Sequence, residues 1–123
     1  MLAYATIGTN NLPRAAGFYD EVLGLIGGKR FMEFGQFIAW GTGEDAASLA
    51  VTKPFDGNAA TVGNGCMVSL QADSRETVDR VHAKALALGG SDEGAPGQRM
   101  EGFYAAYFRD LDGNKLCACY MGA

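Results

Sequence analysis

Asn11-Leu12-Pro13-Arg14-Ala15-Ala16-Gly17-Phe18-Tyr19-Asp20-Glu21-Val22-Leu23-Gly24 is the stretch on which the fold turns. Asn11 carries a side-chain acceptor suited to capping a helix, and Pro13 stands where the first turn lacks backbone partners anyway. Phe18, Tyr19, Val22 and Leu23 then recur at helical spacing, and Gly24 followed by Gly27-Gly28 supplies the stop. A short apolar strand, Leu2 to Gly8, precedes it. The same order returns downstream. Cys66 to Gln71 reads as a strand, and Asp73 with Glu76 three residues later reads as a capping-box variant. Val78, Val81, Ala85 and Leu88 share a helix face before Gly89-Gly90 ends it. Each half is therefore a strand, a helix and a double-glycine stop.

The correspondence runs on past the glycines. Phe37-Ile38-Ala39-Trp40-Gly41 matches Tyr104-Ala105-Ala106-Tyr107-Phe108 as an aromatic-rich strand, and Ser48 to Lys53 matches Lys115 to Tyr120 as a closing strand. Asp110-Leu111-Asp112-Gly113-Asn114 is the hairpin turn between the last two strands. Residues 54–65 are rich in turn formers and separate the halves. A period of about 60 residues in two copies is too long for a solenoid. The reading is an α+β fold, a single domain over residues 1–123. Two βαβββ modules, about 1–55 and 64–123, form curved mixed sheets with a concave cleft. Strand alternation puts Ala3, Ala5 and Ile7 under the first helix and Val68 and Leu70 under the second. Tyr4, Thr6 and Gly8, with Met67, Ser69 and Gln71, are left for the concave side.

Bulk composition excludes several classes of partner. The net charge is −4, so neither nucleic acid nor an anionic membrane suits the surface, because phosphate binding needs a basic face. No long uninterrupted apolar run predicts a membrane span. Met1-Leu2-Ala3-Tyr4-Ala5-Thr6 lacks the basic and apolar regions of an export signal. Cysteines number three, and Cys117 and Cys119 lie too close along one strand to bridge each other. Reduced thiols and a cytoplasmic location are expected.

The helix stretch ending in Phe18-Tyr19 and Leu23-Gly24 and the Asp110-x-Asp112-Gly113-Asn114 hairpin resemble the vicinal oxygen chelate superfamily, that of glyoxalases, bleomycin resistance proteins and extradiol dioxygenases. Ser74 to Gly90 and Gly94-Ala95-Pro96-Gly97 are similar to a bacterial glyoxalase-like subgroup. The resemblance covers nearly the whole chain and implies the two-module fold. It leaves function open, since that superfamily holds isomerases, dioxygenases, epimerases, thiol transferases and non-catalytic antibiotic binders. It also implies four metal ligands, a His or Gln in each first strand and a Glu in each closing strand. Those positions fall here on Tyr4, Met67, Cys117 and Ala50 (or Val51), and none is a His or a Glu. Phenol, thioether and one thiol do not suit a hard or borderline ion, so no metal and no other cofactor is expected.

The remaining chemistry is sparse. His82 is the sole histidine and falls mid-helix, away from the cleft, which removes a histidine triad or zinc site. Asp110-x-Asp112-Gly113 lacks the later acid of a calcium loop, since Met121 stands in its place. Gly63-Asn64-Gly65 and Gly24-Leu25-Ile26-Gly27-Gly28 do not follow the strand–loop–helix order of a phosphate cradle. Cys117, with Cys119 on the same side, reads as cleft lining unless a base or cation activates it. Tyr4, Trp40, Phe55, Phe103, Tyr104 and Tyr107 are placed to border the cleft, and Arg99, in the loop before Phe103, to meet an anionic group on a ligand. The ligand-binding set is thus Tyr4, Thr6, Trp40, Met67, Ser69, Arg99, Tyr104 and Cys117. The function expected is a metal-free aromatic cleft that binds a small organic molecule, in a chain compatible with a homodimer. The alternative is a lyase, isomerase or dioxygenase of the same superfamily, metal-dependent or assisted by Tyr4 and Cys117.

Overall fold

A computed structural model describes residues 1–122. The chain runs β1 (Tyr4–Gly8), α1 (Leu12–Gly24), β2 (Lys29–Phe34), β3 (Phe37–Gly41) and β4 (Ser48–Thr52), then β5 (Val68–Gln71), α2 (Arg75–Ala87), β6 (Ser91–Met100), β7 (Phe103–Arg109) and β8 (Lys115–Met121). The two halves build two four-stranded sheets of like topology, β1-β4-β3-β2 (sheet A) and β5-β8-β7-β6 (sheet B). In each, the first and closing strands pair in parallel and the rest are antiparallel. The two-module α+β reading of the sequence is borne out.

Local chemistry explains the elements. The Asn11 side chain accepts from the Arg14 amide at 3.1 Å, and Pro13 occupies the first turn of α1. At its end Gly27 adopts φ +85°, a left-handed conformation costly for a residue with a Cβ. The Gly28 amide then donates to the Leu23 carbonyl at 2.8 Å. The cap of α2 lies one residue later than the expected Asp73. Ser74 accepts from the Thr77 amide at 3.1 Å, while the Asp73 carboxylate accepts from the Thr77 hydroxyl at 2.7 Å. The serine has the extended backbone of a cap residue, so the aspartate serves from outside the helix.

α1 rests on β2, β3 and β4, α2 rests on β6, β7 and β8, and the helices touch each other. One core runs through both modules, joining Phe18, Tyr19, Val22 and Trp40 to Val78, Val81, Phe108 and Leu116. Burying each such side chain is worth about 1.5–3 kcal/mol before chain entropy is counted.

A polar seam adds to that core. The Asp110 backbone closes the β7–β8 turn on Asn114, and its carboxylate accepts from the Asp112 and Asn114 amides, both at 2.9 Å, and from the Asn114 side chain. From the other module, the Tyr19 hydroxyl donates to the same carboxylate at 2.6 Å. The Thr9 hydroxyl donates to Asp112 at 2.6 Å, and the Asn114 amide nitrogen donates to the Gly8 carbonyl. The two sequence signatures, helix and hairpin, are thus the two halves of one lock. Neither helix is long and apolar enough to cross a membrane.

Candidate functional site

Each sheet has one face under its helix and one open face. On sheet A, parallel pairing sets Tyr4 beside Ser48, Thr6 beside Ala50 and Gly8 beside Thr52, while antiparallel pairing adds Ala39 and Phe37. Phe37 and the neighbouring Phe34 stack at 5.0 Å with 22° between their planes, and Tyr4 meets Phe37 edge-on at 6.4 Å. Tyr4 is 58% and Phe34 62% exposed, so this aromatic row is open to solvent. It borders a groove of about 880 Å³ with Phe55 at the rim, lined entirely by residues between positions 4 and 57.

The open face of sheet B is different. Ser69 lies beside Cys117, Cys119 beside Ala105, and Tyr107 beside Cys117. Ala105, Cys117 and Cys119 form a small buried cluster covered by Phe103 and Tyr107. The Ser69 hydroxyl and the Cys119 thiol share a hydrogen bond at 3.3 Å. Burial pushes the Cys117 thiol up, against the opposing pull of the Ser69 hydroxyl. A nucleophilic cysteine needs the opposite shift. Cys66, Cys117 and Cys119 are all free thiols.

The expected site residues divide by face. Tyr4 and Thr6 stand on the groove of sheet A, and Ser69 and Cys117 on the open face of sheet B. Met67 lies just ahead of β5, half-exposed, in a second groove with Arg109 and Lys115. Two residues belong to the opposite side. Trp40 is buried in the core against Tyr19, its indole N–H donating to Asp20 at 2.9 Å and the Arg30 guanidinium 5.7 Å above its ring. The Tyr104 hydroxyl donates to Asp79 on α2 at 2.6 Å, and the ring lies under the Arg75 guanidinium. Alternation is the reason. Ile38 and Trp40 share the helix side of β3, as Tyr104, Ala106 and Phe108 share that of β7, which leaves Phe37 and Tyr107 for the open faces. Read residue by residue, the same alternation would have found both. Arg99 is on β6 and not in a loop, because β6 continues through the glycines and Pro96 by a series of irregular pairings with β7.

The register also settles the position shared between Ala50 and Val51: Ala50 is on the open face and Val51 in the core. Phenol, methyl, thioether and a thiol kept protonated by burial therefore occupy the four positions at which relatives of this fold would hold a metal, and they do not fit one. Among the described residues no three His, Cys, Asp or Glu side chains gather as a metal site. His82 sits at the α2–β6 contact, its ring 3.0 Å from Asp92, as its mid-helix position implied. The Asp92 carboxylate is held below its usual range by the Gly94 amide and by His82.

Two paired βαβββ modules with open sheet faces define a small α+β protein of the vicinal-oxygen-chelate architecture. The chain belongs to the glyoxalase/bleomycin resistance protein/dioxygenase superfamily, whose family model matches residues 1–118. A glyoxalase/bleomycin resistance protein from Albidiferax ferrireducens T118 is 35% identical, with a TM-score of 0.92 over 99% of both chains. A glyoxalase/bleomycin resistance protein/dioxygenase family enzyme from Burkholderia phytofirmans PsJN is 17% identical, with a TM-score of 0.77 over 98% of both chains. A lactoylglutathione lyase from Agrobacterium tumefaciens is 21% identical, with a TM-score of 0.71 over 98% of this chain and 92% of its own. The last two are likenesses of fold alone. No curated protein matches the chain.

Proposed function

We propose that this protein is a cytoplasmic binding protein for a small organic molecule, held in a metal-free cleft whose apolar wall is the open face of sheet A. The observation that carries the reading is the exposed row Tyr4–Phe37–Phe34 on an 880 Å³ groove. Rings left in water at this density gain several kcal/mol when a flat apolar ligand covers them. The thiol of Cys117, raised by burial, favours binding over catalysis.

The reading includes a homodimer. The groove at Tyr4 takes no residue from the second module, so Ser69 and Cys117 join it only if a second copy brings its sheet B alongside. Phe31 and Met32 on β2 expose further apolar area for that contact.

The test combines ligand screening with metal analysis. A panel of planar aromatic compounds should raise Tm in the wild type and not in a Tyr4→Ser, Phe37→Ser double variant. Protein exposed to Ni, Zn, Mn and Fe(II) and then desalted should retain almost none. Stoichiometric metal, or a panel without any effect on Tm, overturns the reading.

A further inference from the structure

We propose that the open face of sheet B is an anion subsite, in which Arg99 and Lys115 gathered over Tyr107 take the carboxylate of an aromatic acid. The inference rests on the small-molecule reading above and names the ligand's class.

The first observation is where the charge goes. Arg14, Arg30, Lys84 and Arg109 each pair with a carboxylate. Among the cations with no carboxylate partner in the described residues, Arg99 and Lys115 are the two that share an aromatic ring: the guanidinium lies 5.4 Å and the ammonium 5.6 Å from the centre of Tyr107. Two cations held near one ring make the surroundings of that ring positive, and an anion bound there would lower that charge. Glu93, toward the other end of β6, is held by Arg109 at 2.8 Å and does not serve.

The second observation is that the arginine has a seat. A Cβ at Gly97 would come within 2.9 Å of its Nη1. One at Gly94 would lie 3.4 Å from Nη2 and 3.0 Å from the Tyr107 ring. Neither glycine has a positive φ, so the backbone does not require glycine, and what an added Cβ would crowd is the guanidinium in its present place. The guanidinium lies in this notch, with one N–H donating to the Ala95 carbonyl. A guanidinium has five N–H donors, so most remain for a carboxylate, whose two oxygens match its fork.

The floor beneath is neutral: Ser69, Cys119 and a Cys117 thiol that burial keeps protonated. No charge there competes for the cations, and the Phe103 and Tyr107 rings beside them suit an aryl body.

Calorimetric titrations with 2-naphthoate and 2-naphthamide test this directly, since the two share shape and differ in charge. The carboxylate should bind about tenfold more tightly in low salt, with the advantage shrinking as salt is raised. Arg99→Gln and Lys115→Gln should each remove most of that advantage of acid over amide. Gly97→Ala, which keeps every charge and fills the seat, should behave like Arg99→Gln. Equal binding of acid and amide to the wild type, or an acid preference that survives Arg99→Gln, overturns the anion subsite and leaves the small-molecule reading standing. Binding of neither compound overturns the anion subsite, and the small-molecule reading falls with it only if the whole panel of planar aromatics also leaves Tm unchanged.

Discussion

The seam between the modules and the open faces of the sheets treat similar side chains in opposite ways. At the seam Tyr19 is fully buried, and its hydroxyl is one of four donors on the Asp110 carboxylate. On the open faces Tyr4 has no side-chain partner but another ring, and Tyr107 lies under two unneutralised cations. The seam is satisfied and therefore holds the fold together. The faces are left incomplete, and an incomplete surface is where a ligand or a second chain gains energy. The residues that make the family recognisable belong to the seam, while the residues that would decide the ligand lie outside the signatures.

If this division is right, seam and face variants should fail in different assays. The largest loss of stability is expected from Asp110→Ala, which strands the Tyr19 hydroxyl and three turn donors; urea unfolding should show a loss of about 3 kcal/mol or more. Tyr19→Phe should cost less, about 1–3 kcal/mol, and leave ligand affinity unchanged.

The same variant has a pH signature. Burial, then the Asp110 charge, pushes the Tyr19 phenol well above its usual range. A tyrosine that ionises in the unfolded chain but resists doing so when folded leaves the native state with more bound protons. Stability should therefore fall as pH rises above about 10. Tyr19→Phe should flatten that limb, and an unchanged slope would refute the assignment.

Face variants should show little of this. Tyr4→Ser and Phe34→Ser, at exposed positions, should move folding stability by about 0.5 kcal/mol or less while lowering Tm shifts by ligand and weakening self-association in sedimentation. A large destabilisation would erase the distinction between face and seam. The smallest effect concerns the thiols. Exposed Cys66 should react quickly with a thiol reagent in the native protein, Cys117 and Cys119 only slowly, and Cys66→Ser should remove the fast phase.

Much of this was legible in one dimension. Asn11, the helical spacing of Phe18, Tyr19, Val22 and Leu23, the paired glycines and the Asp-x-Asp-Gly-Asn turn each carry local physics, and each appears where its chemistry put it. Alternation puts Tyr4, Thr6, Ser69 and Cys117 on the sheet faces away from the helices, and the regular register of β1, β5 and β8 keeps that parity. For Trp40 and Tyr104 aromatic character points to the cleft, but strand parity puts both on the helix sides. Gly94, Pro96 and Gly97 look like strand breakers along the sequence ahead of Arg99, whereas β6 absorbs them by bulging.

The sequence by itself determined the repeat, the element types, the missing His and Glu at the metal positions and the excess of acidic groups, because these depend on residue type and near neighbours. Tertiary structure decided that Tyr19 meets Asp110 across 91 positions, which cation is neutralised and which is not, and that the Arg99 guanidinium lies against Gly94 and Gly97. Those outcomes depend on how the two modules meet and how adjacent strands align. No local preference along the chain encodes either distance.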